Sequence, residues 1–239
     1  MRFAKRVRDS RAAQQGTTDA ARDASPAAFA IPRCRLVSTV ILAAITDRKS
    51  LDGELLSFIE RALAAGLDWI QIREKDLSGQ ALFELCRAAA ALPNPKGAKL
   101  FINGRADIAL AATLAGVHLP SDSPSPADYR RCVGSELLLG VSCHSLEELR
   151  EAQEGGADYA FYSPIFESTA KPGYGPAVGL DALARACASV KIPVLALGGV
   201  SAENARECIA AGAAGVAGIS LFQSAADPAN VAARLRGRE

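Results

Sequence analysis

The chain has 239 residues, with 27 Lys and Arg against 26 Asp and Glu, a formal net charge of +1 and a hydrophobic fraction of 49%. Near-neutral charge excludes the strongly basic face of a nucleic-acid binder, and no apolar run reaches the roughly 20 residues that cross a bilayer. The length is that of one α/β barrel domain with a sizeable core.

Residues 1–35 stand apart. They are rich in Arg, Ala, Ser and Asp, poor in large apolar residues, and lack the apolar stretch of a secretory signal. Asp9, Asp19 and Asp23 argue against a transit peptide. The segment reads as a disordered extension, or as the product of a start codon placed too far upstream. The folded domain is expected over residues 36–239.

From Val37 onward, short β-branched runs alternate with helical patterns. Strands are predicted at 40–45, 69–73, 99–103, 116–119, 138–142, 159–162, 194–197 and 215–219, and helices at 53–65, 79–92, 126–132, 145–154, 180–189 and 201–211. Asp52, Ser78, Ser125, Ser145 and Ser201 are the expected N-caps, and Gly66, Gly155 and Gly212 the expected stops. Eight nearly continuous apolar strands separated by helices predict a closed (β/α)8 TIM barrel. An open doubly wound sheet shares the alternation, but no GxGxxG follows the first strand.

The six cysteines, Cys34, Cys86, Cys132, Cys143, Cys187 and Cys208, show neither a CxxC nor a zinc-like spacing. They read as free thiols in a reducing, cytoplasmic compartment.

In this fold chemistry gathers where strands end at their C-termini, and those ends are polar here. Gly198 and Gly199 in "LALGGV" follow strand seven, and Ile219 and Ser220 in "GVAGIS" follow strand eight. Loops in those two places commonly cradle a phosphate. "QIREKD" puts Gln71 and Arg73 on one strand face and Lys75 at its mouth. An arginine on an inward face needs an anion, either a carboxylate or a ligand. The Gly/Pro-rich loop after strand six, with Ser168 and Lys171, reads either as a flap or as a surface connection.

Only two histidines are present. His144 follows strand five directly, before a helix that Ser145 and Glu148 start as a capping box. It is therefore not needed as a cap, and an unperturbed pKa of about 6.5 suits a proton carrier. His118 lies inside strand four and reads as a packed or barrel-lining residue. Cys143 and His144 are adjacent on a strand and point to opposite faces, which argues against a Cys–His dyad.

The segments "QIREKD", "FINGRADIAL", "GVHLPSDS", "GVSCHSLEEL", "GADYAFYSPIF", "LALGGV" and "AGVAGIS" occur in this order between residues 45 and 223. With them the chain resembles the thiamine phosphate synthase/TenI family. That resemblance implies a TIM barrel and one of two activities. The synthase joins hydroxymethylpyrimidine pyrophosphate to thiazole phosphate and needs Mg²⁺ on aspartates of "NDR" and "GQED" segments. Here those positions hold Gly104 and Ser123, with Asp122 one place away as the only substitute.

The TenI-type thiazole tautomerase instead has "NGR", "LPSGS" and "SVHSLEE", which this chain follows closely. The resemblance thus implies a tautomerase aromatising a carboxythiazole phosphate without metal or cofactor. In it His144 moves the proton, Arg73 and Asn103 orient substrate, and Gly198, Gly199, Ile219 and Ser220 hold the phosphate. Lys75, Ser142, Ser168 and Lys171 complete the anion-binding frame in the manner of the synthase. The Mg²⁺-dependent synthase, with the pyrimidine pyrophosphate as a second substrate, is the alternative. A non-catalytic sensor or carrier of thiazole phosphate is the alternative of a different class. The partner expected is a small phosphorylated thiazole, with no nucleic acid and no membrane; a homo-oligomer is compatible with the sequence.

Overall fold

A computed structural model describes residues 40–167 and 176–237. Strands and helices follow one another as β1 (Ile41–Ile45), α1 (Leu55–Ala65), β2 (Trp69–Ile72), α2 (Gly79–Ala90), β3 (Lys99–Asn103), α3 (Ala106–Ala111), β4 (Gly116–Leu119), α4 (Pro126–Val133) and β5 (Leu138–Cys143). The chain continues through α5 (Leu146–Glu154), β6 (Tyr159–Tyr162), α6 (Gly179–Ser189), β7 (Val194–Ala196), α7 (Ala205–Ala210), β8 (Gly215–Gly218), α8 (Ser220–Gln223) and α9 (Pro228–Leu235). All neighbouring strands are parallel, and β1 pairs with both β2 and β8, so the sheet closes into a (β/α)8 barrel. The open-sheet alternative is thereby excluded. The expected boundary at residue 35 and Cys34 lie outside the described residues.

Each predicted strand matches an observed one to within one residue at either end. The helices α3, α8 and α9 were not anticipated. The first two have six and four residues, too short to show a helical period. The third opens on Asp227 followed by Pro228, a start signal that the sequence does carry. Ser78, Ser125 and Ser145 cap as expected, accepting from the N–H groups of Ala81, Asp128 and Glu148.

Three expected terminal signals, Asp52, Ser201 and Gly212, need correction. Asp52 is not a cap, because α1 starts at Leu55 behind Glu54. Ser201 precedes a turn instead, and α7 starts behind Asn204. Gly66 and Gly155 end α1 and α5 as expected, Gly66 itself in the left-handed region and Gly155 at φ −73° with Gly156 left-handed behind it. Gly212, with φ +100°, lies one residue beyond the Ala211 cap of α7.

Strand side chains divide between two cores by the period-two rule. Those pointing outward, such as Leu42, Ile70, Ile102 and Val117, pack under the helices. Helix α1 meets them with Phe58, Ile59, Ala62 and Leu63, an apolar stripe at helical spacing. Those pointing inward, chiefly Trp69, Phe101, Tyr159, Phe161 and Leu195, fill the barrel. The Tyr159 ring lies 4.6 Å from Trp69 and 5.4 Å from Phe101, centroid to centroid. Among the described residues no helix is long and apolar enough to cross a membrane. The five described cysteines are free thiols.

Tyr159 fits because β5 has no side chain at Gly140, where a Cβ would lie 2.1 Å from the tyrosine Cζ. Gly140→Ala must therefore displace a buried ring. It is expected to destabilise the fold by about 1–3 kcal/mol, or roughly 2–12 °C in melting temperature for a domain of this size. Thermal unfolding followed by circular dichroism measures this, and an unchanged midpoint would contradict the packing.

Candidate functional site

At the C-terminal mouth of the barrel the inward positions turn polar, and a pocket opens above the aromatic plug. Gln71 and Arg73 enter it from β2, Asn103 from β3, His118 from β4, and Ser142 and His144 from β5. Residues 142 and 144 share a face because they are two apart. Cys143, between them, is buried in the outer core, and burial pushes its thiol up to about 12. Strand parity thus separates thiol from imidazole, as the sequence led us to expect.

His144 is held at two points. Its Nδ1 lies 2.7 Å from the Ser163 carbonyl. A carbonyl oxygen only accepts, so Nδ1 carries the proton and the lone pair of the neutral ring is on Nε2. Its backbone N–H donates to Glu148 Oε2 at 2.6 Å. The expected capping box is thus modified. Ser145 caps the Glu148 N–H, but the Glu148 carboxylate returns to His144, fixing the backbone that carries the imidazole.

His118 points inward and is buried. It stacks on Phe161 at 4.2 Å between centroids. Its Nε2 lies 2.9 Å from Ser142 Oγ and its Nδ1 3.2 Å from the Tyr159 hydroxyl. Burial, reinforced by the nearby Arg73 cation, lowers its pKa to about 3. The ring is therefore neutral at physiological pH and orients the Ser142 hydroxyl without carrying charge. Burial also raises the Tyr159 phenol well above its ordinary value, so it remains protonated.

Gln71 Nε2 donates to Asn103 Oδ1 at 3.2 Å, while Gln71 Oε1 is buried without a hydrogen-bond partner among the described residues. Arg73 makes no ion pair among the described residues. The adjacent carboxylates are engaged elsewhere, Glu74 by Thr46 and the Arg48 backbone and Asp76 by Arg48 and Lys49. The Lys49 hydrogen bond is the main cause that holds the Asp76 carboxyl below its ordinary value. Of the two partners expected for Arg73, the carboxylate is excluded within the described residues.

Across the mouth, Gly198 and Gly199 have φ values of +90° and +65°. A Cβ on Gly199 would lie 2.6 Å from the carbonyls of Phe166 and Glu167, so glycine here also admits the loop after β6. Asn204 Nδ2 donates to the Gly199 carbonyl and secures the turn. Ile219 and Ser220 line the same pocket, at the start of α8.

The structure therefore brings together Arg73, Lys75, Asn103, Ser142, His144, Gly198, Gly199, Ile219 and Ser220 around one pocket. Ser168 and Lys171 lie outside the described residues. Asp122 is exposed and off the pocket. Among the described residues no carboxylate lines the pocket, and no group of three His, Cys, Asp or Glu is placed to hold a metal. The donor set does not fit Mg²⁺. Sequence reasoning left Gln71 and His118 out of the site, and Ser163 too, although the parity of residues 71 and 73 was a usable signal for the first.

The profile of the thiamine monophosphate synthase family matches residues 42–222. The chain is similar to the thiamine-phosphate synthase of Moorella thermoacetica, 43% identical over 182 residues, covering 76% of this chain and 86% of that protein. It is likewise similar to the thiamine-phosphate synthase of Chlorobium luteolum, 40% identical over 196 residues, covering 82% and 91%. Among solved structures, a thiamine phosphate pyrophosphorylase from Pyrococcus furiosus superposes with a TM-score of 0.74 at 33% identity, covering 83% of this chain and 95% of that one. These names favour the synthase over the tautomerase, the reverse of the order in which the sequence motifs place them.

A neutral buried histidine gives a pH dependence with a definite sign. The unfolded chain protonates His118 near 6.5 and the folded one only near 3. Its contribution is complete above 6.5 and is lost as pH falls towards 3, at up to about 1.4 kcal/mol per pH unit. Urea unfolding between pH 7 and 4 should show a shallower acid loss for His118→Gln than for the wild type. Parallel slopes would contradict the assignment.

Proposed function

The chain belongs to the thiamine monophosphate synthase family, and from that membership we propose that it acts in thiamine biosynthesis on a phosphorylated thiazole held at the barrel mouth, as a thiazole tautomerase. The observation that carries this reading is the chemistry of the pocket. A histidine with its Nδ1–H on a carbonyl enters it, and no described carboxylate does. Aromatisation of a carboxythiazole phosphate is an isomerisation: one proton leaves a ring carbon and another atom of the ring system is protonated. His144 Nε2 takes the first proton. The Ser163 carbonyl holds the ring in place and supports the imidazolium, which then returns a proton. Arg73 and Asn103 orient the substrate, and the turn at Gly198 and Gly199, with Ile219 and Ser220, receives the phosphate. Free thiols support a reducing, cytoplasmic setting.

The second reading is thiamine phosphate synthesis, and the names of the relatives support it better than they support the first. Two features of the pocket agree with it. Arg73 and Lys75 suit a pyrophosphate, and the unpartnered Gln71 Oε1 suits a heterocycle that presents a donor. Against it stands the absence of a described carboxylate where Mg²⁺ would have to be carried, with Gly104 and Ser123 at the expected positions. A sensor or carrier would need the phosphate turn but not the histidine.

The deciding experiment offers purified protein two substrate sets. With the thiazole synthase product and EDTA, aromatisation is expected, and His144→Ala should lower kcat by about 10²–10⁴-fold. With the pyrimidine pyrophosphate, thiazole phosphate and Mg²⁺, thiamine phosphate formation would transfer the assignment to the synthase. Thiazole phosphate binding without turnover in either arm would leave the sensor.

A further inference from the structure

The loop after β1 stands between the two halves of the anion-binding mouth. Strand β1 pairs with β8 on one side and β2 on the other, so residues 46–48 separate the start of α8 from the Arg73–Lys75 segment. They are bonded to Gln223, the last residue of this one-turn helix, and to the Arg73–Lys75 segment. Asp47 N–H donates to Gln223 Oε1 at 2.8 Å, and Gln223 Nε2 donates to the Asp47 carbonyl at 3.1 Å. On the other side the buried Thr46 hydroxyl donates to Glu74 Oε1 at 2.6 Å and accepts from the Arg73 N–H at 2.9 Å. The Arg48 N–H is shared between both Glu74 oxygens at 3.2 Å.

Glu74 is 4% exposed and sits next to Arg73 in the chain, yet its carboxylate is directed away into this loop. The arrangement has two effects. It removes the nearest carboxylate from competition for the Arg73 guanidinium, and it fixes the Arg73 backbone through Thr46.

We propose that Glu74 and Thr46 are positioning residues, which with Gln223 form a brace that sets the Arg73 cation at a fixed place relative to the phosphate turn of α8. The brace therefore suits a ligand, or a ligand pair, bearing two anionic groups. This rests on the anion-site reading above. It does not depend on whether the reaction is isomerisation or coupling, since each involves two anionic groups, phosphate with carboxylate or phosphate with pyrophosphate.

The electrostatic and the positioning roles predict opposite signs. Removing a carboxylate beside two cations strengthens anion binding by charge alone, whereas breaking the brace weakens it. Calorimetric titration of the full-length protein with inorganic pyrophosphate should give about tenfold weaker binding for Glu74→Ala. Glu74→Gln, which retains an acceptor for Thr46, should fall in between, and Thr46→Val should also be weaker. Glu74→Ala combined with Arg73→Ala should bind no more weakly than Arg73→Ala alone, since Glu74 acts through Arg73.

Equal tightening in Glu74→Ala and Glu74→Gln would overturn the proposal, as would additive losses in the double variant. Amide hydrogen exchange of Arg48 and Arg73 reads the brace without ligand. Faster exchange at both in Glu74→Ala, and at Arg73 in Thr46→Val, is expected; unchanged exchange overturns the brace. A wild-type protein that binds neither pyrophosphate nor thiazole phosphate would refute the anion site itself, while the exchange result would still decide the brace.

Discussion

A parallel barrel must fill its own interior, and in this chain that constraint governs everything at the mouth. Eight strands supply inward positions at every second residue. The lower ones are taken by Trp69, Phe101, Tyr159 and Phe161, with glycine at Gly140 where the tyrosine needs the volume. The aromatic plug closes the barrel from below. Only the upper inward positions then border the pocket, among them Gln71, Arg73, Asn103, His118, Ser142 and His144. The pocket is what remains of the barrel above its packing.

Polar groups in so confined a space must be either paired or held for a ligand. The two histidines illustrate the division. His118 is enclosed between a phenol, a hydroxyl and the Phe161 face, and is neutral through burial. His144 sits at the rim, tied by a backbone carbonyl and by Glu148 through its own N–H. One ring is enclosed at the floor of the pocket and the other lines its rim. A similar sorting acts on the acidic residues near β2, where Glu74 and Asp76 are satisfied by the β1 loop while Arg73 keeps its charge for the pocket.

Much of this was legible in the sequence, for reasons of scale. Strand positions depend on local apolar runs, and each was placed to within a residue. The collection of polar residues at one barrel end followed from the order of strand and loop, and it located His144, Arg73 and the two-glycine turn. What could not be read depends on partners distant in the chain. Nothing near His118 tells that it meets Tyr159, 41 residues away. Nothing near Glu74 points to Thr46, 28 residues earlier. Asp52 and Ser201 had the right chemistry for caps but stand before turns rather than helices. The choice between tautomerase and synthase is finer still, because the family resemblance makes it turn on single side chains such as Gly104 and Ser123.

The alternation along β5 has a consequence for its register. Ser142 and His144 face the pocket and Cys143 faces the outer core. A one-residue slip of this strand would exchange the two sets, presenting a thiol to the pocket and turning the imidazole into the outer core. A substitution at the strand end changes one wall of the pocket alone, whereas a slip of β5 changes pocket and core together.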